Sequence, residues 1–116
     1  MSVPIERWGR DHESTLLYME SVCVDHRGVP DIRRMRCDPR RHPGLAHEVS
    51  RLLGPCPPTR LKDGELLNHD DWDCVDDMVT AGVLVLRGTG MQPEVELTTA
   101  GWGLAHTLRR KRAGAA

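Results

Sequence analysis

Four cysteines and six histidines in a chain of 116 residues put metal binding first among the chemistries to consider. Cys23-x2-His26 and Cys37-x4-His42 are each spaced so that the pair can hold one edge of a tetrahedral zinc, and the two pairs lie close in sequence. Zinc would add folding free energy to a small chain with no Phe and few other aromatic residues. Against this, Cys23 falls on an apolar helical stripe, where a buried thiol is ordinary, and the spacing is that of no standard finger. His69 and Cys74, with four residues between them, make a weaker pair. No cofactor is expected, with zinc at Cys23, His26, Cys37 and His42 as the alternative. The cysteines are even in number but come with no secretion signal, which favours free thiols or a metal site over structural disulfides.

Carboxylates are the second candidate chemistry. Asp70, Asp73 and Asp77 recur at i, i+3 and i+7, so one helix face can stack them, and stacked carboxylates can bind Mg²⁺ for phosphoryl chemistry. A hydrolytic site usually draws its ligands from several elements, however, and no general base is marked out. There is no G-x-S-x-G, no phosphate-binding glycine loop and no dinucleotide fingerprint; Gly88-Thr89-Gly90 lies between two strands rather than before a helix. No enzyme activity and no small-molecule substrate are expected.

Charge is nearly balanced at −1, yet it is segregated. Fourteen of the 16 basic residues are Arg, and Arg27, Arg33, Arg34, Arg36, Arg40 and Arg41 form one block, with Arg109, Arg110, Lys111 and Arg112 a second. Between them Asp63, Glu65, Asp70, Asp71, Asp73, Asp76 and Asp77 form an acidic block without one Lys or Arg. Such separation implies a directional field and charged partners. With 39 % apolar and 28 % charged residues, neither a fibrous nor a disordered chain fits. No apolar run approaches the roughly 20 residues that cross a bilayer, and the N-terminus lacks an apolar signal region, so a cytoplasmic protein is expected.

The elements that must position these residues follow from periodicity. One domain over 1–116 is expected: an N-terminal arm (1–10), a helical half (11–54), a Pro-rich linker with a short strand or turn (55–67), a helix–wing–helix unit (68–108) and a basic flexible tail (109–116). Asp11 can cap a first helix carrying Leu16, Met19 and Cys23 on one stripe, broadened by Leu17 and Val24 and stopped by Gly28-Val29-Pro30. A second helix runs from Pro43 to Gly54, with Leu45, Val49, Leu52 and Leu53 inward. Asp63-Gly64 signals a turn, as a small hairpin or one strand. Asn68, with Asp71 three residues on, resembles a capping box for a helix that lines one face with Trp72, Val75, Met78 and Val79 and ends at Gly82. Residues 83–86 and the alternating Glu94-Val95-Glu96-Leu97 make a two-stranded hairpin, and a last helix begins near Thr98 or Thr99. Trp8, Trp72 and Trp102 are expected as core or wing-packing residues rather than a base-stacking platform.

Helix, Ala81-Gly82-Val83-Leu84, strand, the loop from Gly88 to Pro93, strand, Leu97-Thr98-Thr99-Ala100-Gly101, helix: this order resembles the second half of a winged-helix domain of the MarR type. The similarity covers about residues 68–110. It implies a small, helix-rich α+β domain with a winged-helix-like C-terminal half. Through Trp8-Gly9-Arg10-Asp11-His12 and His69-Asp70-Asp71-Trp72-Asp73-Cys74 the whole chain also resembles small phage and prophage proteins, which implies a genomic setting and no activity.

In winged-helix DNA readers the start of the recognition helix enters the major groove with basic or amide side chains. Here that helix, 69–80, offers carboxylates, which a polyanion repels, and no Lys or Arg. A protein or nucleoprotein partner is therefore expected at Asp70, Asp71, Asp73, Asp76 and Asp77, with nucleic-acid mimicry or inhibition as one form of it. The alternative is a DNA-binding regulator using Arg33, Arg34, Arg36, Arg40, Arg41, Arg87, Arg109, Arg110, Lys111 and Arg112. A further alternative is a zinc-stabilised structural protein. The bland reading is that Asp70, Asp71 and Asp73 cap and solvate a helix N-terminus. No membrane contact is expected, and the chain is read as a monomer or homodimer.

Overall fold

The first helix, α1 (Arg10–Asp25), forms where Leu16, Met19 and Val22 recur on one stripe, and all three are fully buried. Its start differs from the expected cap. Gly9 stands at the N-cap without a side-chain bond, and the Asp11 carboxylate reaches out to Arg60 instead. Gly9 touches the next element so closely that a Cβ there would sit 2.3 Å from the Arg60 carbonyl oxygen. Glycine is needed for that approach.

The computed structural model describes residues 2–38, 56–88 and 93–114. The expected helix over 43–54 lies outside the described residues, as does the wing tip. After α1 come strands β1 (Thr59–Leu61) and β2 (Gly64–Leu66), helix α2 (Asp71–Thr80), strands β3 (Leu84–Arg87) and β4 (Glu94–Leu97), and helix α3 (Thr99–Gly114). The strands form two separate antiparallel hairpins, with Thr59 opposite Leu66 in the first and Leu84 opposite Leu97 in the second. The protein is thus a single α+β domain whose described parts are three helices and two hairpins in a loosely winged-helix-like arrangement.

Local chemistry explains the C-terminal half. α2 closes with Gly82 N–H on the Val79 carbonyl at 3.1 Å and Val83 N–H on the Met78 carbonyl at 3.0 Å, with Gly82 at φ 79°. That left-handed cap is the one expected. In the second hairpin Leu84, Val95 and Leu97 face the core, while Arg87 and Glu96 pair outside at 3.1 Å. The Leu97-Thr98-x-x-Gly101 segment then does three jobs. Leu97 fills the core, Thr98 Oγ1 accepts from Gly101 N–H at 3.0 Å to cap α3, and Thr98 Oγ1–H donates to the Gly82 carbonyl at 2.7 Å.

α1 is the central element and packs on α2, α3, β4 and β1. The N-terminal arm is not a free extension: Val3 and Trp8 are buried, and the Trp8 indole donates to the Val3 carbonyl at 2.9 Å. The basic segment expected as a flexible tail is helical through Gly114, so Arg109, Arg110, Lys111 and Arg112 ride on the last turns of α3. Of the tryptophans, Trp8 and Trp72 are core, whereas Trp102 is 41 % exposed beside the second hairpin. No helix among the described residues is long and apolar enough to cross a membrane.

Candidate functional site

The carboxylates of α2 mostly face inward. The helix begins two residues later than expected: Asn68 takes a left-handed backbone (φ 55°) and Asp70 becomes the N-cap. Asp70 accepts from the Asp73 N–H at 2.9 Å, and Asp73 accepts from the Asp70 N–H at 2.9 Å, a reciprocal capping box. Asp70 is fully buried, and its second oxygen accepts from the Asp38 N–H at 2.8 Å. Asp71 accepts from the Arg36 backbone N–H at 2.8 Å and from Arg36 Nε at 3.0 Å. The expected outward acidic face is therefore corrected for Asp70, Asp73 and Asp77, which are buried and bonded within the fold; of the five aspartates only Asp76 is exposed.

Asp77 organises the largest buried polar cluster. Its Oδ2 lies 2.8 Å from His12 Nε2 and 2.8 Å from His69 Nε2, and its Oδ1 accepts from the Val3 N–H at 3.0 Å. Burial works against ionisation, but the bonds from His12, His69 and the Val3 amide prevail and hold the Asp77 carboxyl down to about 2. Ionised, Asp77 only accepts, so both imidazoles donate to it through Nε2–H. Trp8 stacks on His12 with ring centroids 5.3 Å apart. His69 Nδ1 lies 2.9 Å from Thr59 Oγ1 and 3.9 Å from Cys74 Sγ, and the Thr59 hydroxyl donates to the His69 carbonyl. His12 Nδ1 is buried without a hydrogen-bond partner. Burial pushes the Cys74 thiol up, reinforced by the charges of Asp71 and Asp77. The arm, α1, the first hairpin and α2 thus meet at one point.

A separate ion network lies beside it. The Asp11 carboxylate accepts from the Arg60 N–H at 2.7 Å and from Arg60 Nη2 at 2.6 Å, and Arg36 Nη2 reaches Asp11 at 3.5 Å and Asp71 at 2.9 Å. Burial again opposes ionisation, yet the Arg60 bonds keep the Asp11 carboxyl below its usual range.

Among the described residues, Cys23, His26 and Cys37 do not come together as a metal-binding group. Cys23 is half-buried with its thiol against the Val95 carbonyl at 3.6 Å, His26 is exposed at the end of α1, and Cys37 is buried near Asp70, its thiol pushed up to about 12 by burial and that charge. His42 lies outside the described residues. Asp70, Asp73 and Asp77 do not gather as a Mg²⁺ site either, since their bonds go to the capping box and to the histidines. Among the described residues the group that could coordinate a metal ion is His12, His69 and Cys74, with one donor atom from each within 4.8 Å of the others. Sequence spacing indicated His69 and Cys74 but missed His12. Its one local signal is its place on the α1 stripe, four residues before Leu16.

The basic residues divide. Arg36 is turned inward, Arg33 pairs with Asp31 at 3.2 Å, Arg87 with Glu96 at 3.1 Å and Arg109 with Glu20. Arg34, Arg110, Lys111 and Arg112 are exposed, and Arg40 and Arg41 lie outside the described residues. The chain matches no protein-family model, no curated protein and no solved structure.

Proposed function

We propose that this protein is a non-enzymatic, winged-helix-like binding module, phage- or prophage-borne, that contacts a protein or nucleoprotein rather than free duplex DNA. The observation that carries this reading is the outer face of α2. In a MarR-type reader the corresponding helix meets the groove; here its exposed residues are Asp76, Val79 and Thr80, and it has no Lys or Arg. Affinity for a duplex comes from neutralising phosphates, which this face has no means to do. An acid beside an exposed Val suits a partner with a basic rim and an apolar centre.

The contact surface proposed is thus smaller than five aspartates. It centres on Asp76, Val79 and Thr80, with Ser2 bonded to Thr80 Oγ1 at 3.0 Å at its edge. The test is a fluorescence-anisotropy titration with duplex DNA over a range of salt concentrations. No saturable binding is expected at physiological ionic strength. Tight binding that weakens steeply with salt, and that is lost on changing Arg110, Lys111 and Arg112 to Glu, overturns the reading in favour of a DNA-binding module working through α3.

A further inference from the structure

We propose that a pocket enclosed by α1, the segment 34–36, β1 and the start of α2 binds a phosphate-class dianion, as the free ion or as a phosphate monoester. It shares no residue with the outer face of α2 or with the Asp77 cluster. Asp11, Ser14, Thr15 and Tyr18 fall at i, i+3, i+4 and i+7, so one face of α1 forms a wall of it. Arg34 and Arg60 line it from the other elements, and the buried Met35 adds an apolar side. Arg36 fixes the segment in place: its Nε donates to Asp71 at 3.0 Å and its Nη1 to the Pro57 carbonyl at 3.2 Å. The cavity of about 320 Å³ has room for a phosphoryl group and a small substituent.

Charge and donor supply both point to an anion. Three guanidinium groups line the pocket against two carboxylates, Asp11 and Asp71, which leaves a positive excess. All four carboxylate oxygens are already covered by donors. Those of Asp11 accept from Arg60 Nη2 at 2.6 Å and the Arg60 N–H at 2.7 Å, and those of Asp71 from Arg36 Nε at 3.0 Å and the Arg36 N–H at 2.8 Å. The donors left over belong to three different elements. Among the described residues neither the Arg34 guanidinium nor Arg60 Nη1 makes a hydrogen bond, and the Tyr18 hydroxyl, which accepts from the Asp31 N–H at 2.9 Å, keeps its own proton to give. The Thr15 side chain is only 6 % exposed, yet its hydroxyl has no partner among the described residues. A tetrahedral dianion can accept from donors on several sides at once, and its bonds to guanidinium groups are charge-assisted. A carboxylate offers two oxygens in one plane and a single charge, a poorer match.

The experiment follows the backbone amides of the full chain by NMR while inorganic phosphate or phenyl phosphate is added at constant ionic strength. The amides of residues 14–18 and 34–36 should shift along one saturable curve. Arg34→Ala should weaken binding about tenfold and Thr15→Val, which keeps the shape but removes the hydroxyl, severalfold. Lys111→Ala, a basic residue exposed on α3, should leave it unchanged. Tighter binding of phenyl phosphate supports the site as one for a phosphate monoester, and equal or tighter binding of inorganic phosphate supports it as one for the free ion. The proposal is overturned if these amides do not saturate, or if the monoanions acetate and dimethyl phosphate bind as tightly as phosphate. Wild-type affinity in the folded Arg34→Ala and Thr15→Val variants also overturns it, and where Thr15→Val fails to fold, the exposed Arg34→Ala decides alone.

Discussion

His12 Nε2 and Asp77 Oδ2 lie 2.8 Å apart with both side chains almost wholly out of water, and this pair joins the first helix to the helix that precedes the second hairpin. The same carboxylate also holds His69 and the Val3 amide, so one side chain of α2 fastens three other parts of the chain. A buried carboxylate so engaged stabilises the fold only while its partners are present.

Removal of one partner should therefore be costly. His12→Ala leaves the Asp77 oxygen short of one imidazole and opens a space beneath Trp8, and it is expected to lower stability by about 3–5 kcal/mol in urea unfolding. The double variant His12→Ala/Asp77→Ala should lose less than the two single losses added together, because the second change removes the stranded charge. Strict additivity would show that the pair is not coupled.

Acid should unfold the protein through the same groups. Asp77, held at about 2, and Asp11, also lowered, are both depressed in the folded state. Each contribution is fully present above the ordinary carboxylate value near ~4 and disappears as pH falls through the folded value. For Asp77 the window runs from about 4 down to about 2 and is worth on the order of 2 kcal/mol. Urea midpoints of chelator-treated protein should fall across that window, and Asp77→Asn should flatten the fall. An unchanged slope in Asp77→Asn would remove Asp77 from the explanation.

Glycines in α3 offer a contrast that does not depend on charge. A Cβ on Gly101 would sit 2.0 Å from the Val83 carbonyl oxygen, whereas one on Gly103 meets nothing within 4 Å. Gly101→Ala should cost roughly 1–3 kcal/mol through backbone displacement. Gly103→Ala should stabilise by roughly 0.5–1 kcal/mol, the helix preference of Ala over Gly. Thermal melting of the two variants checks the sign of each.

What the sequence made legible was local. Gly82 as a left-handed cap, Thr98 as the start of α3, and the alternation of Glu94-Val95-Glu96-Leu97 each depend on neighbours within a few residues, and each holds in the structure. The start of α2 shows the limit. Asn68-x-x-Asp71 and Asp70-x-x-Asp73 satisfy the same capping pattern, and the choice between them involves distant groups, the Asp38 N–H on Asp70 and the Arg36 side chain on Asp71. That choice places the aspartates at the fold's internal joints. His12 and Asp77 are 65 positions apart, and no spacing rule reaches across that distance. Asp11 likewise reads as a helix cap until Arg60 is brought beside it.

The inward placement of the α2 carboxylates is tested by urea unfolding of four single variants, Asp70→Ala, Asp73→Ala, Asp76→Ala and Asp77→Ala. Asp77→Ala should lose about 3–5 kcal/mol, Asp70→Ala and Asp73→Ala about 1–2 kcal/mol each, and exposed Asp76→Ala less than about 0.5 kcal/mol. Four small and equal losses would contradict this placement and return the aspartates to a solvated acidic face.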